Sequence, residues 1–139
     1  MRVRGAQRRS RTLLQKASGE EAQVAEDCIF CKIARGEIPV PFVYEDDLVV
    51  AFNDLSPQAP VHVLIVPRVH YRNLGDGVPA EVAVALCGAV PKVAEAKGIS
   101  ESGYRVIVNN GPDATQTVPH LHVHVLGGTP MTHGMVNVG

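Results

Sequence analysis

The sequence predicts an α+β fold: an antiparallel sheet of about five strands, one main helix and a short N-terminal helix. Three observations carry this expectation. Runs rich in β-branched residues occur at 42–45, 48–52, 61–66, 104–108 and 118–126. Val82, Leu86, Val90 and Val93 recur at the three- and four-residue steps of a helix that buries one face. The order is helix, hairpin strands, strand, helix, strand, strand, which is not the regular alternation of a parallel sheet.

Taken in order, residues 1–25 read as a basic, patternless and disordered tail, and 26–139 as a single domain. Residues 27–35 read as a short helix, with Asp27 as N-cap and Gly36 just past its end. Pro39 and Pro41 hold the chain extended. The turn Glu45-Asp46-Asp47 joins the first two strands, and the loop 53–60 is polar and bracketed by prolines. Pro67 stops the third strand. Pro79 suits the first turn of the main helix, which runs to Lys97 and ends at Gly98. Pro91 lies inside that helix and predicts a kink or a split near residues 87–90. Cys87 reads as a small buried core residue. The last strand spans 118–126, and Gly127-Gly128 closes it.

A chain of 139 residues with a hydrophobic fraction of 45% fits one ordinary globular domain. It contains no apolar run near the roughly 18 residues of a membrane span. The net charge of −1 hides an asymmetry. Residues 1–18 carry six basic and no acidic side chains, and the remainder carries seven basic and fourteen acidic ones. The folded part is therefore acidic, which speaks against a nucleic-acid surface. The basic start reads as a disordered arm, an over-long translated start or an Arg-rich targeting peptide. Three cysteines without a secretory signal point to a reducing, cytoplasmic setting rather than a disulfide framework.

The chemistry concentrates at His120-Leu121-His122-Val123-His124. On a strand, alternate side chains share a face, so the three imidazoles stack about 6.5 Å apart. Leu121, Val123 and Val125 then face the core. Imidazoles in such a row can attack, orient or protonate a phosphate, and they can equally ligate a metal. Spacing alone leaves both readings open. The preceding loop 109–117 offers amides, hydroxyls and backbone N–H groups to an anion, which favours the phosphate reading.

Several motifs in register resemble the histidine-triad family. These are His120–His124 followed by apolar residues, the stretch from Asn53-Asp54-Leu55 to His62, and the opening Asp27-Cys28-Ile29-Phe30-Cys31 with Gly36-Glu37-Ile38-Pro39. The likeness is greatest to its Hint branch of purine nucleoside phosphoramidases. It implies a HIT-like fold and cleavage of a P–N or related P–O bond at the α-phosphate of a purine nucleoside 5′-phosphoramidate or aminoacyl adenylate. In that reading His122 attacks phosphorus to form a nucleotidyl-histidine, His120 orients it, and His124 and His62 complete the cluster. Asp54 binds the ribose, while Phe30, Ile38, Phe52, Leu55 and Leu64 wall the base. Asn109, Gln116 and Thr117 contact the phosphate. No organic cofactor is implied, and relatives are homodimers. A nucleotide-binding regulator with incidental catalysis, a dinucleoside polyphosphate hydrolase and a zinc-stabilised interaction domain are the alternatives. Two departures stand out: Thr115 stands where branch members often carry Gly, and the ending 131–139 lacks their Trp-containing tail.

Cys28-x-x-Cys31 is half of a tetrahedral zinc site, which needs two more ligands. The resemblance supplies them as His70 and His120, since some bacterial relatives bind structural zinc with matching residues. A reduced, metal-free pair is the other reading. Zinc on a ring nitrogen of His120 would leave that residue to act on His122 through its backbone or by position. His122 stays free either way.

Overall fold

The computed structural model describes residues 27–138. The basic tail expected over 1–25 lies outside the described residues. The elements in chain order are helix α1 (Ile29–Ala34), strands β1 (Tyr44–Glu45), β2 (Val49–Asn53) and β3 (Val61–Pro67), and helix α2 (Ala80–Ala96). Strand β4 (Tyr104–Ile107), a single 3-10 turn (Pro112–Ala114) and strand β5 (Val123–Gly127) follow. Among the described residues the five strands form one antiparallel sheet in the order β1-β2-β3-β5-β4. The α+β expectation therefore holds, with one main helix and one short one.

Residue parity decides which helix each strand position meets, because strand side chains alternate faces. Val49, Ala51, Val63, Ile65, Val123 and Val125 pack against Val82, Leu86, Ala89, Val90 and Val93 of α2. Val50, Phe52, Leu64 and Val66 point the other way, onto Phe30, Cys31, Ile33 and Ala34 of α1. The central strands are apolar on both faces because a helix covers each. His62 and His124 have even numbers on β3 and β5, so they share the α1 face.

Asp46 fastens the β1–β2 turn. Its Oδ1 accepts from the backbone N–H of Leu48 at 2.8 Å and of Val49 at 2.9 Å, and its Oδ2 accepts from the Tyr44 hydroxyl. Asp is suited to this role because its short side chain reaches its own backbone two and three residues on.

Four local expectations are corrected. Cys28, not Asp27, caps α1: its Sγ accepts the Cys31 N–H at 3.4 Å. Strand β5 begins at Val123 rather than 118. Pro119 has no N–H to give a ladder, and the Leu121 N–H goes instead to the Tyr71 carbonyl at 2.7 Å. The main helix runs unsplit through Pro91. The carbonyl that loses its donor there belongs to Cys87, on the exposed side where water can reach it. Cys87 itself is exposed, because Leu86, Ala89 and Val90 take the buried stripe.

Candidate active site and metal centre

A cleft of about 410 Å³ opens between α1, the loop after β2 and the start of β5. Of the residues singled out from sequence, Phe30, Phe52, Asp54, Leu55, His62, Leu64, Thr117, His122 and His124 line it. Ile38 packs instead against the core beneath α1. His120 and Asn109 are not on the cleft wall. Gln116 spends its amide on bracing the loop: Nε2 donates to the carbonyls of Arg72 and Val118, and Oε1 accepts the Gly111 N–H. Ile29, Ile33, Val40, Ser56, Gln58 and Val118 complete the wall and were not foreseen. Ile29 and Ile33 were legible in principle, since i and i+4 share one helix face.

The bonding partners fix which ring nitrogen of each histidine carries a proton. A carbonyl only accepts, so His122 Nδ1, 2.7 Å from the His120 carbonyl oxygen, must hold the hydrogen. His122 Nε2 is then the lone-pair nitrogen. At His62 the direction is opposite, because the Gln58 N–H donates to Nδ1 at 3.0 Å. His62 Nε2 therefore holds the hydrogen and donates to His124 Nδ1 at 2.9 Å. His124 Nε2 in turn carries a hydrogen, and it is buried without a partner among the described residues. A bare lone pair on His122 and an unspent N–H on His124 thus stand on adjacent rings, with centroids 5.0 Å apart. Gln58 was missed because its contribution is a backbone N–H, which no side-chain motif reveals.

Asp54 also faces this chain. Its Oδ1 caps the local turn by accepting the Ser56 N–H, and Oδ2 lies 3.4 Å from His62 Nε2. Asp54, His62 and His124 are close enough to hold a metal ion. The Gln58 N–H opposes this, because His62 would need its proton on Nδ1 to offer Nε2. The group is built as a hydrogen-bond relay.

Burial lowers the His122 imidazole below its ordinary range, against the pull of the His120 carbonyl. His124 is held down to about 4, first by burial and then by the like charges that His122 and His62 would carry, with Asp54 opposing. Both rings are neutral at pH 7. The unfolded His124 imidazole takes its proton near 6.5 and the folded one resists until about 4, so stability is lost as pH falls through that window. In an NMR titration the His124 ring signals should stay in their neutral position through pH 6 and move near pH 4. A midpoint at 6.5 would contradict the buried relay.

Thr115, just before this wall, sits in the left-handed region at φ 60°, where a β-branched residue is strained. Gly would hold this conformation without that strain.

The bend at 118–120 turns the His120 ring away from the cleft and toward the cysteines. His120 Nε2 donates to the Pro67 carbonyl at 3.0 Å, so Nδ1 is bare. That Nδ1 lies 3.2 Å from Cys28 Sγ and 3.5 Å from Cys31 Sγ, while His70 Nδ1 lies 3.3 Å from Cys31 Sγ. All four residues are buried. With Zn–S and Zn–N bonds of about 2.3 and 2.0 Å, the edges of a zinc tetrahedron are about 3.3–3.8 Å. The observed separations match those edges closely, so the four residues fit zinc. Buried His70 Nε2 lacks a partner among the described residues. The hydrogen bond from Cys31 holds the Cys28 thiol far below the usual range, and the same bond with burial pushes Cys31 up. The pair thus readily presents a thiolate. Phe30 lies between the cysteines in sequence and packs its ring edge-on to both His120 and His122.

Residues 35–131 match the HIT domain, and the chain belongs to that family. The purine nucleoside phosphoramidase of Escherichia coli strain K12 is 49% identical over 111 residues, covering 78% of this chain and 92% of that one. A 14 kDa zinc-binding protein of Zea mays is 45% identical over 107 residues, covering 74% and 83%. Among solved structures, a HIT family hydrolase from Clostridium thermocellum superposes with a TM-score of 0.76 at 46% identity, covering 80% and 98%. Among the described residues no helix is long and apolar enough to cross a membrane.

Proposed function

We propose that this chain hydrolyses the bond between an amine and the α-phosphorus of a purine nucleoside 5′-phosphoramidate, or the related bond of an aminoacyl adenylate. The observation that carries this reading is the fixed tautomer of His122: Nδ1–H is tied to the His120 carbonyl, leaving Nε2 as a neutral nucleophile beside the cleft. His122 Nε2 attacks phosphorus as the P–N bond breaks, giving a nucleotidyl-histidine and the free amine, whose nitrogen takes a proton from solvent as it leaves. The charge that develops on the ring is stabilised by its Nδ1–H bond to the carbonyl. The unspent His124 N–H donates to a phosphoryl oxygen, held in that orientation by His62 and the Gln58 N–H. Water then cleaves the intermediate. Phe30, Phe52 and Leu64 sandwich the base, Asp54 Oδ2 takes a ribose hydroxyl, and Thr117 meets the phosphate. The phosphoramidase likeness at 49% identity supports the substrate class.

His120 is assigned here to positioning rather than proton transfer, because its ring faces the cysteines. Cys28, Cys31, His70 and His120 would hold one structural zinc, and the likeness to a zinc-binding relative supports that reading. Zinc supplies rigidity at this corner and takes no part in the chemical step. A two-fold homodimer is proposed from Val84 on α2, 70% exposed, and Val106 on edge strand β4, 45% exposed.

The test is a panel of nucleoside phosphoramidates quenched during turnover. A mass increase of about 329 Da, the adenylyl group of an adenosine substrate, should map to His122. Turnover with the adduct on another residue, or through direct attack of water, would overturn the assignment.

A further inference from the structure

Cys28 and Cys31 differ in their access to the outside. Cys31 is 2% exposed, whereas Cys28 is 9% exposed and lines a second cleft of about 440 Å³ together with His70, Thr117 and Pro119. This cleft lies on the far side of Ile29, Thr117 and Val118 from the nucleotide cleft, those three residues lining both. A molecule as small as a peroxide can therefore approach Cys28 without crossing the active site. The ligand atoms of Cys28, Cys31, His70 and His120 all lie within 4.8 Å of one another. The Cys31 backbone N–H already bonds to Cys28 Sγ, so the two cysteines turn toward each other across one turn of chain. Two thiols so placed can close a disulfide with little backbone movement.

We infer that Cys28 and Cys31 form a reversible oxidation site at which a peroxide converts the metal-holding pair to a disulfide and expels the zinc. Cys28 Sγ attacks the peroxide, the O–O bond breaks, and Cys28 becomes a sulfenic acid as one water leaves. Cys31 Sγ then attacks Cys28 Sγ, the S–O bond breaks, and a second water leaves with the S–S bond formed. The two sulfurs give up two electrons and the hydrogen peroxide accepts them, with two protons drawn from solvent because zinc held both sulfurs as thiolates. A disulfide no longer offers thiolates, so zinc keeps only the two histidines, too few to hold it. Thiol reductant and zinc reverse the change. Zinc expulsion rests on the zinc reading proposed above, but disulfide formation does not, so the two can fail separately.

The experiment uses the full chain carrying Cys87→Ser, which removes the exposed thiol, loaded with zinc and titrated with hydrogen peroxide. Zinc release is followed with a chromogenic chelator, and the chain by intact mass and peptide mapping. The expected result is a loss of about 2 Da mapping to a Cys28–Cys31 link. About one zinc should appear per link formed, and dithiothreitol with zinc should restore the starting mass and metal content. Addition of Cys31→Ser should stop the link and leave Cys28 to overoxidise, a gain of about 32 Da or more. If the pair stays reduced at a tenfold excess of peroxide, or if the unmutated pair goes directly to sulfinic acid, the inference is overturned. A link that forms in protein shown to hold no zinc upholds the oxidation site and removes only the metal reading.

Discussion

Replacing His122 with Asn is expected to lower turnover of a nucleoside phosphoramidate by at least about a thousandfold, roughly 4 kcal/mol of transition-state stabilisation. The variant should still bind a non-hydrolysable nucleotide within about threefold of the parent. The cleft residues Phe52 and Leu64 belong to β2 and β3, whose pairing does not involve the His122 ring. Asn keeps an N–H that can reach the His120 carbonyl, so the local bond survives while the nucleophilic lone pair is lost. Steady-state kinetics beside equilibrium titration separate the two effects. Wild-type turnover in the variant would remove the covalent route altogether. Equal losses in binding and rate would recast His122 as a binding residue.

How much of this was legible in the sequence differs by feature. The sheet and main helix could be read because Val82, Leu86, Val90 and Val93 keep helical period and the strands are β-branched. The parity of Val49, Ala51, Val63 and Ile65 sorts the two faces, and His62 and His124 follow it. The alternation also holds at His120: Leu121, Val123 and Val125 enter the core against α2, while the three imidazoles keep the α1 face. What periodicity did not give is that Pro119 and the bend end the ladder before His120, whose ring meets Cys28 and Cys31 outside the cleft. The zinc reading anticipated those partners. Cys87 was misread from its residue type, because the stripe of Val82, Leu86, Val90 and Val93 leaves position 87 outside it. Gln58 and Pro67 were invisible for a different reason: each acts through a backbone group, which no side-chain motif reveals. Gln116 looked like a phosphate ligand by type, but its amide is consumed by three backbone groups.

Removing the metal is the second change with a large expected effect. Metal analysis of the purified chain should give about one zinc per protomer, and Cys28→Ser should abolish it. At a free zinc concentration about a thousand times the dissociation constant, binding stabilises the folded state by about 4 kcal/mol. For a domain of this size each kcal/mol moves the melting temperature by about 4 °C or more, so chelation should lower it by on the order of 15 °C. The effect on turnover, measured well below the new transition, should be under about tenfold. His120 keeps its Nε2–H bond to the Pro67 carbonyl without zinc, so its own carbonyl continues to hold His122 Nδ1. Differential scanning calorimetry and kinetics on the same metal-free sample separate these effects. A melting temperature unmoved by chelation would mean that the four ligands are a reduced, metal-free cluster. Complete loss of turnover in a chain that is still folded would instead place the metal in the chemical step, which the bearing of the His120 ring toward Cys28 and Cys31 argues against.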